Sequence, residues 1–159
     1  MKILVVSDTH GRHNILDKVI EKEEPFDMLI HCGDLEGDED YINAFLNCTI
    51  HIVGGNNDFY SNLPREQVFY IGDKKVFLTH GHNYYIHRGL DGLKAAAKVK
   101  GSDIVMFGHT HVPFFKEEDG IIFLNPGSLT YPRQQGRESS YMIINVDSSG
   151  KMDFQQKKI

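Results

Sequence analysis

A chain of 159 residues, 40% hydrophobic and 25% charged, has the length and apolar content of one soluble globular domain, and a single domain over residues 1–159 is expected. A formal net charge of -5 with a pI near 6.0 excludes an extended nucleic-acid-binding face, while leaving room for one small anion held by a local positive charge. Two cysteines without C-x-x-C spacing exclude a disulfide framework, and no apolar run is long enough for a signal peptide or a membrane span. The cysteines read as buried thiols, and the expected location is the cytoplasm.

"KILVVSD" opens the chain as a strand buried on both faces. In "NILDKVIEKEEP", Ile15, Leu16, Val19 and Ile20 share one helical face, with Asn14 as N-cap and Pro25 beyond the end. "DMLIHCGD" is a second buried strand. "DEDYINAFLN" repeats the helical pattern at Tyr41, Ile42, Phe45 and Leu46, and "IHIVGGNND" is a third strand. This β-α-β-α-β order implies a parallel sheet. "QVFYIGDKKVFLTHG" then reads as a hairpin turning at Gly72-Asp73. "GLDGLKAAAKVKG" is helical, with Leu90, Leu93 and Ala97 on one face, and "DIVMFGH" is a buried strand. Two further hairpins turn at Asp119-Gly120 and Ser149-Gly150. A parallel half followed by an antiparallel half predicts two packed sheets with helices outside.

In open α/β sheets ligands lie beyond the carboxyl ends of the strands. Those positions carry Asp8 and His10 ("SDTHG"), Asp34 ("CGD"), Asn56, Asn57 and Asp58 ("GGNND"), His80 and His82 ("THGH"), and His109 and His111 ("GHTH"). A glycine adjoins each group, permitting tight turns and close backbone approach. Each motif alone is a common polar turn; five in order, each at a strand end, are specific. Carboxylates, imidazoles and an amide without cysteine suit manganese first, with nickel, iron, cobalt or zinc as alternatives, whereas calcium or magnesium prefers all-oxygen sites. The donors outnumber the needs of one ion, so two divalent ions are expected. Asp34, alone on its short loop, is the natural bridge. His31 and His51 sit inside strand patterns and read as core or edge residues, His13 and His87 as solvated, and Cys32 as packing.

Together, "SDTHG", "CGD", "GGNND", "THGH" and "GHTH" resemble the calcineurin-like metallophosphoesterase superfamily, in particular its small YfcE-like phosphodiesterase group, related to the phosphoesterase-like subunit of retromer. The likeness extends to "NPGSLTYPR", from Asn125 to Arg133. It implies an α/β fold, a four-layer αββα sandwich of two mixed sheets flanked by helices. It also implies a dinuclear centre in which Asp8, His10 and His111 hold one ion, Asn56, His80 and His109 the other, and Asp34 bridges them. One position departs: where many members carry histidine and the small group cysteine, this chain has Asn57, which is not a predicted ligand and cannot donate a proton at neutral pH.

The expected activity is phosphodiester hydrolysis with a metal-bridging hydroxide as nucleophile. Asp34, Asn57 and His82 are the expected catalytic-site residues, His82 being the nearest candidate proton donor. Ser128 and Arg133 are expected at the phosphate oxygens, and Asp58 orients a ligand such as His10 or steadies its loop. Phe59, Tyr60, Tyr84 and Tyr85 flank the motifs as stacking or packing residues. The expected partner is a small phosphate ester; homo-oligomerisation is left open. The alternative is a catalytically weak protein-interaction module, which would have no reason to keep every ligand.

Overall fold

The computed structural model describes residues 1–37 and 39–159. In chain order the elements are β1 (Lys2–Val6), α1 (His13–Glu23), β2 (Met28–His31), α2 (Glu39–Phe45), β3 (Thr49–Ile52), β4 (Glu66–Ile71) and β5 (Lys74–Thr79). They continue with α3 (Asp91–Lys100), β6 (Ile104–Met106), β7 (Phe114–Glu118), β8 (Ile121–Asn125), β9 (Ser140–Val146) and β10 (Met152–Lys158). The first residue of the expected second helix, Asp38, lies outside the described residues.

Two five-stranded sheets form, in the orders β10-β9-β1-β2-β3 and β4-β5-β6-β8-β7. Alternation along β1 explains their layering. Ile3 and Val5 enter the core between the sheets, with Ile30, Val76, Leu78 and Met106. Leu4 and Val6 face the opposite way, against Leu16 and Val19 of α1 and Ile42 of α2. On the far side, Leu93 and Ala97 of α3 cover Phe77, Val105 and Phe123. The layers are therefore helix, sheet, sheet, helix. Each fully buried aliphatic side chain contributes roughly 1.5–3 kcal/mol, so this stack sets which strand ends share a rim.

The expected division into a parallel and an antiparallel half is corrected. The first sheet does contain the parallel trio β1-β2-β3, but β9 and β10 return to it antiparallel. The second sheet has its own parallel trio, β5-β6-β8, edged by antiparallel β4 and β7. Helix α1 starts one residue before Asn14, with Arg12 at its cap and no side-chain cap, because the turn bonding Arg12 N to Thr9 O leads straight into the first helical bond. Cys32 is buried between the sheets, whereas Cys48 is only half-buried; both are free.

His31, at the end of β2, is fully buried. Gly33 N donates to its Nδ1 at 3.1 Å, which leaves Nε2–H to donate to Thr9 Oγ1 at 3.1 Å. Burial holds its pKa down, to about 4. A histidine depressed in the fold stays neutral there while the unfolded chain takes up a proton. Stability is therefore lost as pH falls from the unfolded value near 6.5 towards 4, by about 3 kcal/mol in full. Urea titrations of chelated protein across this range are expected to show one proton less of linkage in His31→Gln; an unchanged slope would contradict the assignment.

Candidate metal centre

The five polar motifs meet on one rim. Backbone bonds from Asp8 N to Gly33 O and from His10 N to Asp34 O, each 3.0 Å, dock the loop after β1 onto the loop after β2. Gly108 N donates to His80 O at 3.1 Å, joining the loops after β6 and β5. Asp58 ties the third loop in: its carboxylate accepts from Gly55 N at 2.7 Å, Glu36 N at 2.7 Å and Leu35 N at 3.3 Å. Asp58 thus steadies the loops carrying Asp34 and Asn56 rather than touching His10.

Backbone conformation aims the side chains inward. Asp8, His10, Asp34, His109 and His111 have φ of +55°, +46°, +56°, +67° and +59°, in the left-handed region that costs a non-glycine residue roughly 1–3 kcal/mol. Such a concentration of strain marks a site over-determined by its surroundings. Two glycines provide room. A Cβ on Gly108 would overlap Ser7 Oγ and crowd Asp8 Oδ2, and one on Gly55 would overlap Asp34 Oδ1. Gly55→Ala is therefore expected to displace Asp34, lowering manganese affinity at least about 10-fold and stability by about 1–3 kcal/mol. Calorimetry and urea titration test this; wild-type affinity in the variant would contradict it.

One group comprises Asp8, His10, Asp34 and His111, each offering one donor atom with all four atoms within 4.8 Å of one another. His10 Nε2 and His111 Nε2 face each other at 3.5 Å, and Asp34 Oδ2 lies 3.9 Å from His10 Nε2. Asp8 Oδ1 is buried and approaches His111 Nε2 at 3.0 Å, yet without hydrogen-bond geometry, so it is left without a hydrogen-bond partner. A second group adjoins. His80 Nε2 lies 3.2 Å from Asn56 Oδ1 and 3.3 Å from Asp34 Oδ2. The His80 and His109 ring centroids are 5.1 Å apart. An orphaned carboxylate oxygen among converging imidazole nitrogens fits a divalent cation, and Asp34 adjoins both groups.

The outer ring nitrogens are held by oxygen acceptors, which settles the tautomers. Nδ1–H of His80 donates to Cys32 O at 2.8 Å, that of His111 to Tyr131 O at 2.7 Å, and that of His10 to Glu36 Oε1 at 2.7 Å. Each leaves Nε2 as the inward donor. His109 is held differently: its Nε2 lies 2.8 Å from Nε2 of His87, and where that Nε2 carries the proton, Nδ1 is the ring nitrogen left for a metal. His87, expected in solvent, is exposed but belongs to the rim; the left-handed Tyr85 and the two 3₁₀ turns His82–Tyr84 and Ile86–Arg88 carry it there.

The charges are coupled. Burial alone would raise the Asp34 pKa, but contact with His80 and bonds from Asn57 outweigh it and hold the carboxyl well below the usual range. Asp8 is likewise lowered, burial being overcome by His111 and His80. His80 is raised against its burial by Asp34 and Asp8. His109 falls to about 4 through burial and the charges of His80 and His87.

The remaining expected site residues divide. Asn57 donates to Asp34 twice, from N to Oδ1 at 2.8 Å and from Nδ2 to Oδ2 at 2.7 Å. It also lines a cavity of about 580 Å³ with exposed Phe59 and Tyr60. His82 stands 5.4 Å from His80 between ring centroids; burial and the His80 charge lower its pKa, and its Nδ1 has no partner. Ser128 is corrected: it is fully buried, donating to Asp8 O at 3.0 Å and accepting from Tyr131 N at 2.9 Å, so it braces the Asp8 loop beneath the site instead of meeting phosphate. Arg133 is exposed beside His111, whose carbonyl accepts its N–H at 3.0 Å. Tyr84 packs edge-on against Phe77 and donates to Glu66. Glu36, which orients His10, was missed, although it stands two residues after Asp34.

Residues 1–149 match the family model for the calcineurin-like phosphoesterase superfamily domain. The chain is 33% identical over 150 residues to phosphodiesterase MJ0936 of Methanocaldococcus jannaschii, covering 80% of this chain and 83% of that protein. The crystal structure of a conserved protein from Streptococcus pneumoniae TIGR4, described as a predicted phosphoesterase, superposes with a TM-score of 0.82 at 33% identity, over 99% of this chain and 96% of that one. A single mutant of Vps29 from Entamoeba histolytica superposes with a TM-score of 0.79 at 26% identity, over 100% and 99%. The chain belongs to the calcineurin-like phosphoesterase superfamily, in its small metallophosphoesterase group, and is a hydrolase acting on phosphoric ester bonds.

Proposed function

We propose that this chain is a dinuclear-metal phosphodiesterase acting on a small phosphate ester. Asp8, His10 and His111 hold one divalent ion, Asn56, His80 and His109 the other, and Asp34 serves both; manganese is the first candidate. The observation that carries this reading is the position of Asp34 Oδ2, 3.3 Å from His80 Nε2 and 3.9 Å from His10 Nε2, between the two donor groups. Two bound ions supply a water-derived nucleophile at neutral pH and positive charge for the phosphoryl oxygens.

The chain's own residues hold and orient. Asn57 keeps Asp34 from turning away, and Glu36, Cys32 O and Tyr131 O fix three imidazoles with Nε2 inward. His82, whose pKa is lowered by burial and by the His80 charge, is a weaker candidate for proton donor than for hydrogen-bond acceptor. A diester with a good leaving group therefore suits the site best. A pure protein-interaction role would not need all seven donors.

Metal analysis of purified protein is expected to give about two ions per chain. Chelation is expected to abolish, and manganese to restore, hydrolysis of bis(p-nitrophenyl) phosphate in preference to p-nitrophenyl phosphate. One ion per chain at saturation, or no metal-restored hydrolysis of either ester, would overturn the proposal.

A further inference from the structure

Two cavities adjoin the candidate centre, and their linings carry opposite charge. On the Asn57 side, the cavity beneath Phe59 and Tyr60 is lined by Glu36, Glu39 and Asp40. On the side of His10 and His111, a cavity of about 560 Å³ is lined by Tyr131, Arg133 and Arg137. The chain has only five arginines, and three of them, Arg12, Arg133 and Arg137, surround Tyr131 in a protein of net charge -5.

These three arginines are not equivalent. Arg12 is committed: its guanidinium lies 4.9 Å over the Tyr131 ring and donates to the Tyr131 hydroxyl at 3.0 Å. It fixes the floor of the cavity, with Tyr131 also edge-on to His10 at 5.2 Å. Arg133 and Arg137 make no ion pair among the described residues, and Glu138, the neighbouring carboxylate, is engaged by Lys158. Arg133 is registered to the centre by its backbone bond to His111, and Arg137 is held in a tight turn by a bond from its N–H to Gln134 O at 3.0 Å. Two guanidiniums without an ion pair among the described residues, opening onto one cavity beside the place where a phosphodiester would bind, form a receptor for an oxyanion. The acidic lining of the neighbouring cavity repels the same group, which favours placing an anionic arm among the arginines.

We infer that the substrate is a phosphodiester carrying a second phosphate, and that Arg133 and Arg137 bind it in the cavity over Tyr131 while the leaving group lies towards Phe59 and Tyr60. This rests on the phosphodiesterase reading of the centre. Exposed charge-assisted contacts of this kind give a preference of roughly 5- to 10-fold.

The test uses manganese-loaded protein and a dinucleotide with or without a 5′-phosphate, as hydrolysable diesters for KM and as non-hydrolysable phosphorothioate-linked analogues for calorimetry. The 5′-phosphate is expected to lower KM and Kd about 5- to 10-fold, and Arg133→Gln/Arg137→Gln is expected to bring both ratios to about one. A ratio of one in the wild type overturns the inference. So does a ratio retained in the double variant, which would mean that the terminal phosphate sits on the metals. If neither dinucleotide nor bis(p-nitrophenyl) phosphate is hydrolysed, the phosphodiesterase reading fails by itself, and the calorimetric ratio still decides the arginine cavity.

Discussion

Asp34→Asn is expected to lower turnover of bis(p-nitrophenyl) phosphate by about 10³-fold and to reduce metal content towards zero. Its oxygens lie between two donor groups, so its charge is felt by both. Asp34 is almost fully buried, at 1% exposure, and its neighbours His10, His80 and Asn57 bring only neutral or positive groups against it. Removing the negative charge leaves the imidazoles without their shared counter-charge. His111→Ala and Asn56→Ala each disturb one group, and each is expected to cost less. Parallel metal analysis and kinetics on the three variants check the ordering. An Asp34→Asn protein that keeps both ions and most of its turnover would contradict it.

Asn57→His is expected to raise the ratio of alkyl to aryl ester turnover by at least about 10-fold, the lower part of what a positioned proton donor provides falling near 10²-fold. Wild-type protein is expected to favour aryl diesters strongly over alkyl monoesters, because nitrophenolate departs unaided while an alkoxide does not. Position 57 lines the cavity in which the inference above places the leaving group, so an imidazole there is expected to meet the departing oxygen. The sequence offers no reason to expect a change in metal content, but the bond from Asn57 Nδ2 to Asp34 does: its loss is expected to weaken metal binding modestly, lowering aryl turnover while alkyl turnover rises. Saturating manganese separates the two effects. An unchanged ratio at full occupancy would mean that the side chain does not reach the leaving group.

The site was legible in the sequence to the extent that chemistry sits at strand ends. Asp8, Asp34, Asn56, His80 and His109 each follow a strand rich in apolar residues, and parallel pairing of β1-β2-β3 and of β5-β6-β8 gathers those ends. That second trio was not legible, because hairpin periodicity gives the turn at Asp119-Gly120 but not the neighbour on which β8 settles. His87 was hidden for a related reason. It follows no strand, and only the two short turns after Gly81 carry it to His109. Ser128 reads as a phosphate contact in sequence because a hydroxyl beside a site is an obvious donor. Burial decides otherwise, since a fully enclosed hydroxyl must find its partner inside, and Asp8 O is that partner.

Anomalous diffraction from crystals soaked in manganese tests the dinuclear centre most directly. Two peaks about 3.5–4 Å apart are expected, both touching Asp34, one ringed by Asp8, His10 and His111 and the other by Asn56, His80 and His109. A single peak, or two peaks of which Asp34 touches only one, would contradict it.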